Sequence, residues 1–187
     1  MTLKLLTAAI VLTITGSPAM AEWDYKTVSD PMTDVKRGIA SIAANEQNGL
    51  IAIKCDRSGP GSLYLHFIAT NYLGKGRSGS RDIEYRVDGS EVQKLNAYHD
   101  KSMAIVTNNA PNDAGGRFIK QLRDANKLVI ALYSYEFERY VSTFDISGAR
   151  EAIRNVVSVC EDSKWYAAFN TGPAIIGSPS EPAPPEE

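Results

Sequence analysis

Apolar and polar residues alternate along several short stretches of this chain, a pattern typical of half-buried β-strands. In the stretch 50–55, Ile51, Ile53 and Cys55 share one face. A link rich in Gly and Pro joins it to a second alternating stretch, 63–69, so the two predict an antiparallel hairpin. The remaining stretches with strand character are 22–27, 34–44, 83–87, 92–98, 103–107, 128–135 and 140–144.

Two other stretches carry apolar residues at helical spacing. In 113–126, Phe118, Ile119 and Leu122 lie on one helical face, and Asn112 or Asp113 can cap the first turn. The stretch 147–160 carries a longer apolar stripe, formed by Ala149, Ile153, Val156, Val157 and Cys160. The pattern therefore predicts an α+β fold, a mostly antiparallel β-sheet with two helices at about 113–126 and 147–160.

The first 21 residues have the features of an export signal. Lys4 precedes an apolar run from 5 to 14, and Ala19 and Ala21 fit the small-residue rule for cleavage. We expect cleavage after Ala21 and a periplasmic or secreted protein. The chain would then comprise a signal peptide (1–21), a single domain (22–170) and a disordered tail rich in Pro and Glu (171–187).

Composition limits the classes of partner. The chain is 43% hydrophobic and 22% charged, ordinary for a globular protein. Cleavage removes one of the 20 basic residues and none of the 22 acidic ones, leaving a net charge of −3. This mild acidity gives no attraction to nucleic acid. Outside the N-terminus no apolar run is long enough to span a membrane.

The chain has two cysteines, Cys55 and Cys160. In an exported protein, one disulfide is the simplest use of such a pair. Two buried thiols, or a metal site shared with His66 and His99, remain alternatives, although no ligand spacing links the histidines to the cysteines. We expect no cofactor and no metal.

Two surfaces are candidates for binding. The loop 74–81 carries Lys75, Arg77 and Arg81 among glycines and could hold an anion or a glycan, although its spacing does not match a nucleotide-binding loop. The second candidate surface is a set of alternating aromatic residues: Tyr133, Tyr135 and Phe137, with Tyr140 nearby. The alternation predicts an aromatic strip on one face of the sheet, which could bind a partner or pack in the core.

An envelope hydrolase, or an inhibitor of one, is the enzymatic alternative. It rests on His66, His99 and two pairs of acids, Asp82 with Glu84 and Glu136 with Glu138. The chain contains no GxSxG motif, and solvated strand faces explain the acids more simply. We assign no catalytic residue.

The segment TFDISGAREAIRNVVSVC (143–160), followed by Trp165, together with LIAIKC around Cys55, resembles the type VI secretion-associated accessory proteins of the VasI/TagO kind. The resemblance covers roughly 50–165. It implies a periplasmic, non-enzymatic accessory protein with structural cysteines. Its partner would be a protein of the envelope or of a secretion machine.

Overall fold

The computed structural model describes residues 22–56, 63–74, 80–107, 112–160 and 165, except for the side chain of Cys160. The predicted signal peptide and tail lie outside these ranges. The strands are β1 (Asp24–Ser29), β2 (Lys36–Ala43), β3 (Gly49–Asp56), β4 (Leu63–Ala69), β5 (Ser80–Val87), β6 (Gln93–Asp100), β7 (Met103–Val106), β8 (Lys127–Tyr133) and β9 (Arg139–Asp145). The helices are α1 (Ala114–Arg123) and α2 (Ala149–Cys160). The predicted α+β class, with a mostly antiparallel sheet and two helices, is confirmed.

The strands form one sheet in the order β1-β2-β3-β4-β7-β6-β5-β8-β9, and every neighbouring pair is antiparallel. The first four strands follow one another as hairpins. The chain then crosses to β5 and returns through β6 and β7 to meet β4. Helix α1 leads to the β8–β9 hairpin, which completes the sheet beside β5.

The sheet curls until its last strand meets the turn between β2 and β3. The amide of Asn45 donates to the carbonyl of Thr143 at 2.8 Å, and the side-chain amide of Asn48 donates to the carbonyl of Val141 at 3.0 Å. A carboxylate oxygen of Glu46 accepts from the amide of Thr143 at 3.2 Å. These bonds occupy backbone groups of β9 that an edge strand would otherwise leave open.

The core lies between the inner face of the curled sheet and the two helices. Ile51, Ile53 and Cys55 are all fully buried on that face, as their shared register predicts. Phe118 of α1 packs edge-on against Phe67 and Tyr85, at centroid distances of 5.8 and 4.5 Å. Trp165 is buried in the same core.

Helix α2 approaches strand β2 most closely at Gly38. A Cβ atom built there would lie 3.0 Å from the carbonyl oxygen of Val156 and 3.2 Å from the Cβ of Val159. A glycine within a strand weakens strand formation, but at this position it allows helix α2 to approach strand β2 closely. In the strand register Gly38 lies directly opposite Cys55.

The last turn of α2 therefore lies near Cys55. The described residues contain no free cysteine. Because the side chain of Cys160 lies outside them, its pairing with Cys55 stays a prediction here.

Candidate binding surface at the β8–β9 turn

The turn between β8 and β9 is organised by Ser134, which is buried. Its hydroxyl oxygen accepts hydrogen bonds from the amides of Glu136 and Glu138, both at 3.1 Å. Its amide donates to the carbonyl of Glu138 at 2.9 Å, and its carbonyl accepts from the amide of Phe137 at 3.1 Å. These contacts with one buried residue fix the backbone of the turn.

Phe137 lies at the tip of this turn and is 81% exposed. Its φ of 64° is in the left-handed region, which residues with a Cβ rarely adopt. That conformation costs about 1–2 kcal/mol for a non-glycine residue. The fold thus holds an exposed aromatic side chain in a strained position, and such strain is common at functional sites.

Tyr135, from the same turn, packs against Tyr72, which lies between β4 and β5. The ring centroids are 6.1 Å apart and the planes meet at 74°. Tyr135 is 53% exposed and Tyr72 is 45% exposed. Gly74 lies directly under this contact, since a Cβ there would be 3.3 Å from the Cβ of Tyr135. Sequence reasoning missed Tyr72, because nothing in the pattern around it indicates which distant residue it meets.

Two carboxylates border the rings. Interaction with the neighbouring carboxylate of Glu136 is the main cause that raises the pKa of Tyr135. The hydroxyl of Tyr140 donates to Glu138 and its pKa is raised in the same way. Both acids were expected on a strand face but lie in the turn. We name as the hairpin-tip surface Tyr72, Tyr135, Glu136, Phe137, Glu138 and Tyr140.

The predicted aromatic strip on one sheet face is wrong. Tyr133 ends β8 on the outer face, where its hydroxyl donates to Glu84 at 2.8 Å. Tyr140 packs partly against the core on the inner side. Tyr135 and Phe137 lie in the turn, because the strand ends before Ser134.

Arg81 is the described member of the predicted anion-binding loop. One of its guanidinium nitrogens donates to the carbonyl of Leu73 at 2.8 Å. This bond ties the start of β5 to the connection that carries Tyr72, so the contact is structural. Lys75 and Arg77 lie outside the described residues.

A pocket of about 280 Å³ connects the two predicted surfaces on the outer side of the turn. It is lined by Arg81, Asp82, Glu84, Lys94, Tyr133 and Phe137. Arg81 and Phe137, about 56 residues apart in sequence, thus border one space, a proximity that only long-range strand pairing creates.

The two histidines lie on opposite faces of the sheet. His66 is half-buried on the outer face beside Tyr64, whose ring centroid is 5.2 Å away. His99 is fully buried on the inner face, and its Nδ1 lies 3.0 Å from the carbonyl oxygen of Ala97. They therefore do not converge on one cleft, as the hydrolase alternative would require.

His66 should make the stability of the protein depend on pH. Burial, and then the charge of Lys54, lowers the pKa of His66 to about 4. Between about pH 6.5 and 4 the unfolded chain binds a proton at this site and the folded chain does not. Stability should therefore fall as the pH drops through this window, on the order of 1–2 kcal/mol for this half-exposed ring.

Urea unfolding of the wild type and of His66→Gln at pH 4.5 and 7 measures this effect. We expect the variant to lose a clear part of the pH dependence. Asp34→Asn, at an exposed turn, serves as a control and should keep it. An unchanged pH dependence in His66→Gln would contradict the assignment.

No group of three or more His, Cys, Asp or Glu residues in the described ranges is arranged to hold a metal ion. None of the described helices has the length and apolar character needed to cross a membrane.

Comparisons of the chain with known proteins gave no match to a family model, to a curated protein or to a solved structure.

Proposed function

We propose that this chain is an exported, non-enzymatic accessory protein of the periplasm that binds another protein through the hairpin-tip surface. The observation that carries the proposal is Phe137, an aromatic residue 81% exposed at the tip of a turn. The backbone of the turn is fixed by its bonds to Ser134, so little backbone freedom would be lost on binding, and aromatic residues are typical anchors of interfaces.

Export is part of this proposal. It rests on the pattern of residues 1–21, with an apolar run followed by Ala19 and Ala21. The partner would be a protein of the envelope or of a secretion machine, which is what the resemblance of the segment 143–160 implies.

The proposal includes a disulfide between Cys55 and Cys160 within the exported domain. Three observations support it: Cys55 is fully buried, the described residues hold no free cysteine, and the chain has only two cysteines. The close approach of α2 to Gly38, which lies opposite Cys55 in the strand register, also supports this pairing.

Site-specific photo-crosslinking tests the binding surface. A photoreactive amino acid replaces Phe137 in the full chain, in cells of the source organism, and products are identified by mass spectrometry. We expect a specific crosslinked protein. The matched control position is Met32, an apolar residue that is 90% exposed in the β1–β2 turn. No product at position 137, or identical products at both positions, would contradict the proposal.

The variant Phe137→Asn separates binding from folding. Asparagine adopts the left-handed backbone conformation more readily than phenylalanine does. We expect the variant to be at least as stable as the wild type in urea unfolding and to recover less than a fifth as much partner in a pull-down. A variant that is destabilised and still binds its partner would show that Phe137 has a structural role.

A further inference from the structure

We propose that the hairpin-tip surface takes a basic segment of the partner protein, with an arginine or lysine side chain held against Tyr72 and Tyr135. This inference rests on the proposed function and specifies the chemistry of the partner. It follows from the geometry of the rings, the position of the carboxylates and the charge of the surface.

The two tyrosine rings form a corner. Their planes meet at 74° with centroids 6.1 Å apart, and both residues are exposed. A cation within about 6 Å of a ring centroid is attracted by the electrons of the ring face. Perpendicular rings suit a compact cation, whereas a sugar ring or a base stacks on a flat platform. The geometry therefore favours an ammonium or guanidinium group.

The carboxylates of Glu136 and Glu138 lie in the same turn as Tyr135. Glu136 lies beside Tyr135 and raises its pKa, and Glu138 accepts a hydrogen bond from the hydroxyl of Tyr140. A carboxylate has about four acceptor positions, so each retains acceptors for a partner's N–H groups. Tyr140 thus orients Glu138, and both acids keep oxygen lone pairs that can receive a guanidinium group.

The surface also carries net negative charge. Among the described residues, the ion pairs are formed by acids other than Glu136 and Glu138. The neighbouring Arg139 pairs with Glu84 at 3.7 Å. Arg81, which lines the neighbouring pocket with Phe137, donates to the carbonyl of Leu73. A basic segment would therefore meet aromatic faces and two negative charges together, and this complementarity would also speed association.

A peptide titration tests the inference with the full exported chain. The probe is a Gly-Ser peptide carrying four arginines, and length-matched peptides carry four glutamines or four glutamates instead. We expect the arginine peptide to bind most tightly, and its affinity to fall as salt rises from 20 to 300 mM. Equal binding of the arginine and glutamine peptides would overturn the inference.

Variants locate the binding. Glu136→Gln with Glu138→Gln should weaken the arginine peptide about fivefold or more, as expected for two partly exposed ion pairs. Tyr72→Leu should weaken it about two- to fivefold through loss of one ring face. The matched control is Glu22→Gln with Glu91→Gln, two exposed acids elsewhere, which should leave the affinity unchanged.

The same acid variants distinguish this inference from the proposed function. With the photoreactive residue at position 137, the Glu136→Gln and Glu138→Gln pair should reduce partner capture about fivefold. Capture that is undiminished in the pair would overturn the basic-segment inference and leave the proposed binding surface standing. Absence of capture in the parent would instead remove the proposed function itself. A neutral oligosaccharide that binds equally to parent and acid variant would also overturn the inference.

Discussion

Replacing either Cys55 or Cys160 with alanine is expected to lower the free energy of unfolding by about 2–5 kcal/mol under oxidising conditions. A bridge between them would close a loop of about 100 residues, and the loss of that constraint enlarges the unfolded ensemble. Cys55 is fully buried, so its truncation also removes packing in the core. We therefore expect the larger loss at Cys55.

A double-mutant cycle tests the pairing. If the residues form one bridge, the double variant should lose much less than the sum of the two single variants. Urea unfolding with and without dithiothreitol provides the control, because the reductant should destabilise only the wild type. Additive losses, or single variants with wild-type stability, would show that the cysteines are not paired.

Gly38→Val is expected to destabilise the protein by about 1–3 kcal/mol or more, through overpacking between strand β2 and helix α2. The new Cβ would lie 3.0 Å from the carbonyl oxygen and 3.1 Å from the Cα of Val156. Both are backbone atoms, so the helix as a whole would have to move. Gly38→Ala should show a smaller loss in the same direction.

Ala43→Val is the matched control for this contact. It adds two methyl groups, one carbon fewer than Gly38→Val, at an exposed position of the same strand, where valine also has the higher strand propensity. Thermal unfolding of the three variants beside the wild type should show a loss only at position 38. Wild-type stability in Gly38→Val would mean that α2 does not pack tightly on β2.

The elements of the fold follow from local pattern. Alternation in β4 predicts which face is buried, and the stripe from Ala149 to Val157 predicts the buried side of α2. The role of Gly38 could not be predicted from the local sequence. The alternation around it indicates a strand, but only the packed helix explains why a glycine occupies the position.

The candidate site was predictable only in part. Aromatic residues near 133–140 could be selected from sequence, but their arrangement could not. The pattern continues the strand to Tyr135, whereas the buried hydroxyl of Ser134 bonds the amides of Glu136 and Glu138 and forms a turn. Tyr72 comes from a separate connection, and long-range pairing of strands decides that it meets Tyr135.

The contact of strand β9 with the β2–β3 turn also bears on how the chain folds. Its hydrogen bonds join residues 93 to 100 positions apart, such as Asn45 and Asp145. Contacts of such high sequence separation slow folding, because a long loop must close before they can form. If the chain is exported N-terminus first, as proposed, strands β1 to β4 would be available well before strand β9. Closure of the sheet should therefore be a late step of folding. Until strand β9 has formed, the β2–β3 turn lacks the hydrogen-bond partners that it has in the folded protein.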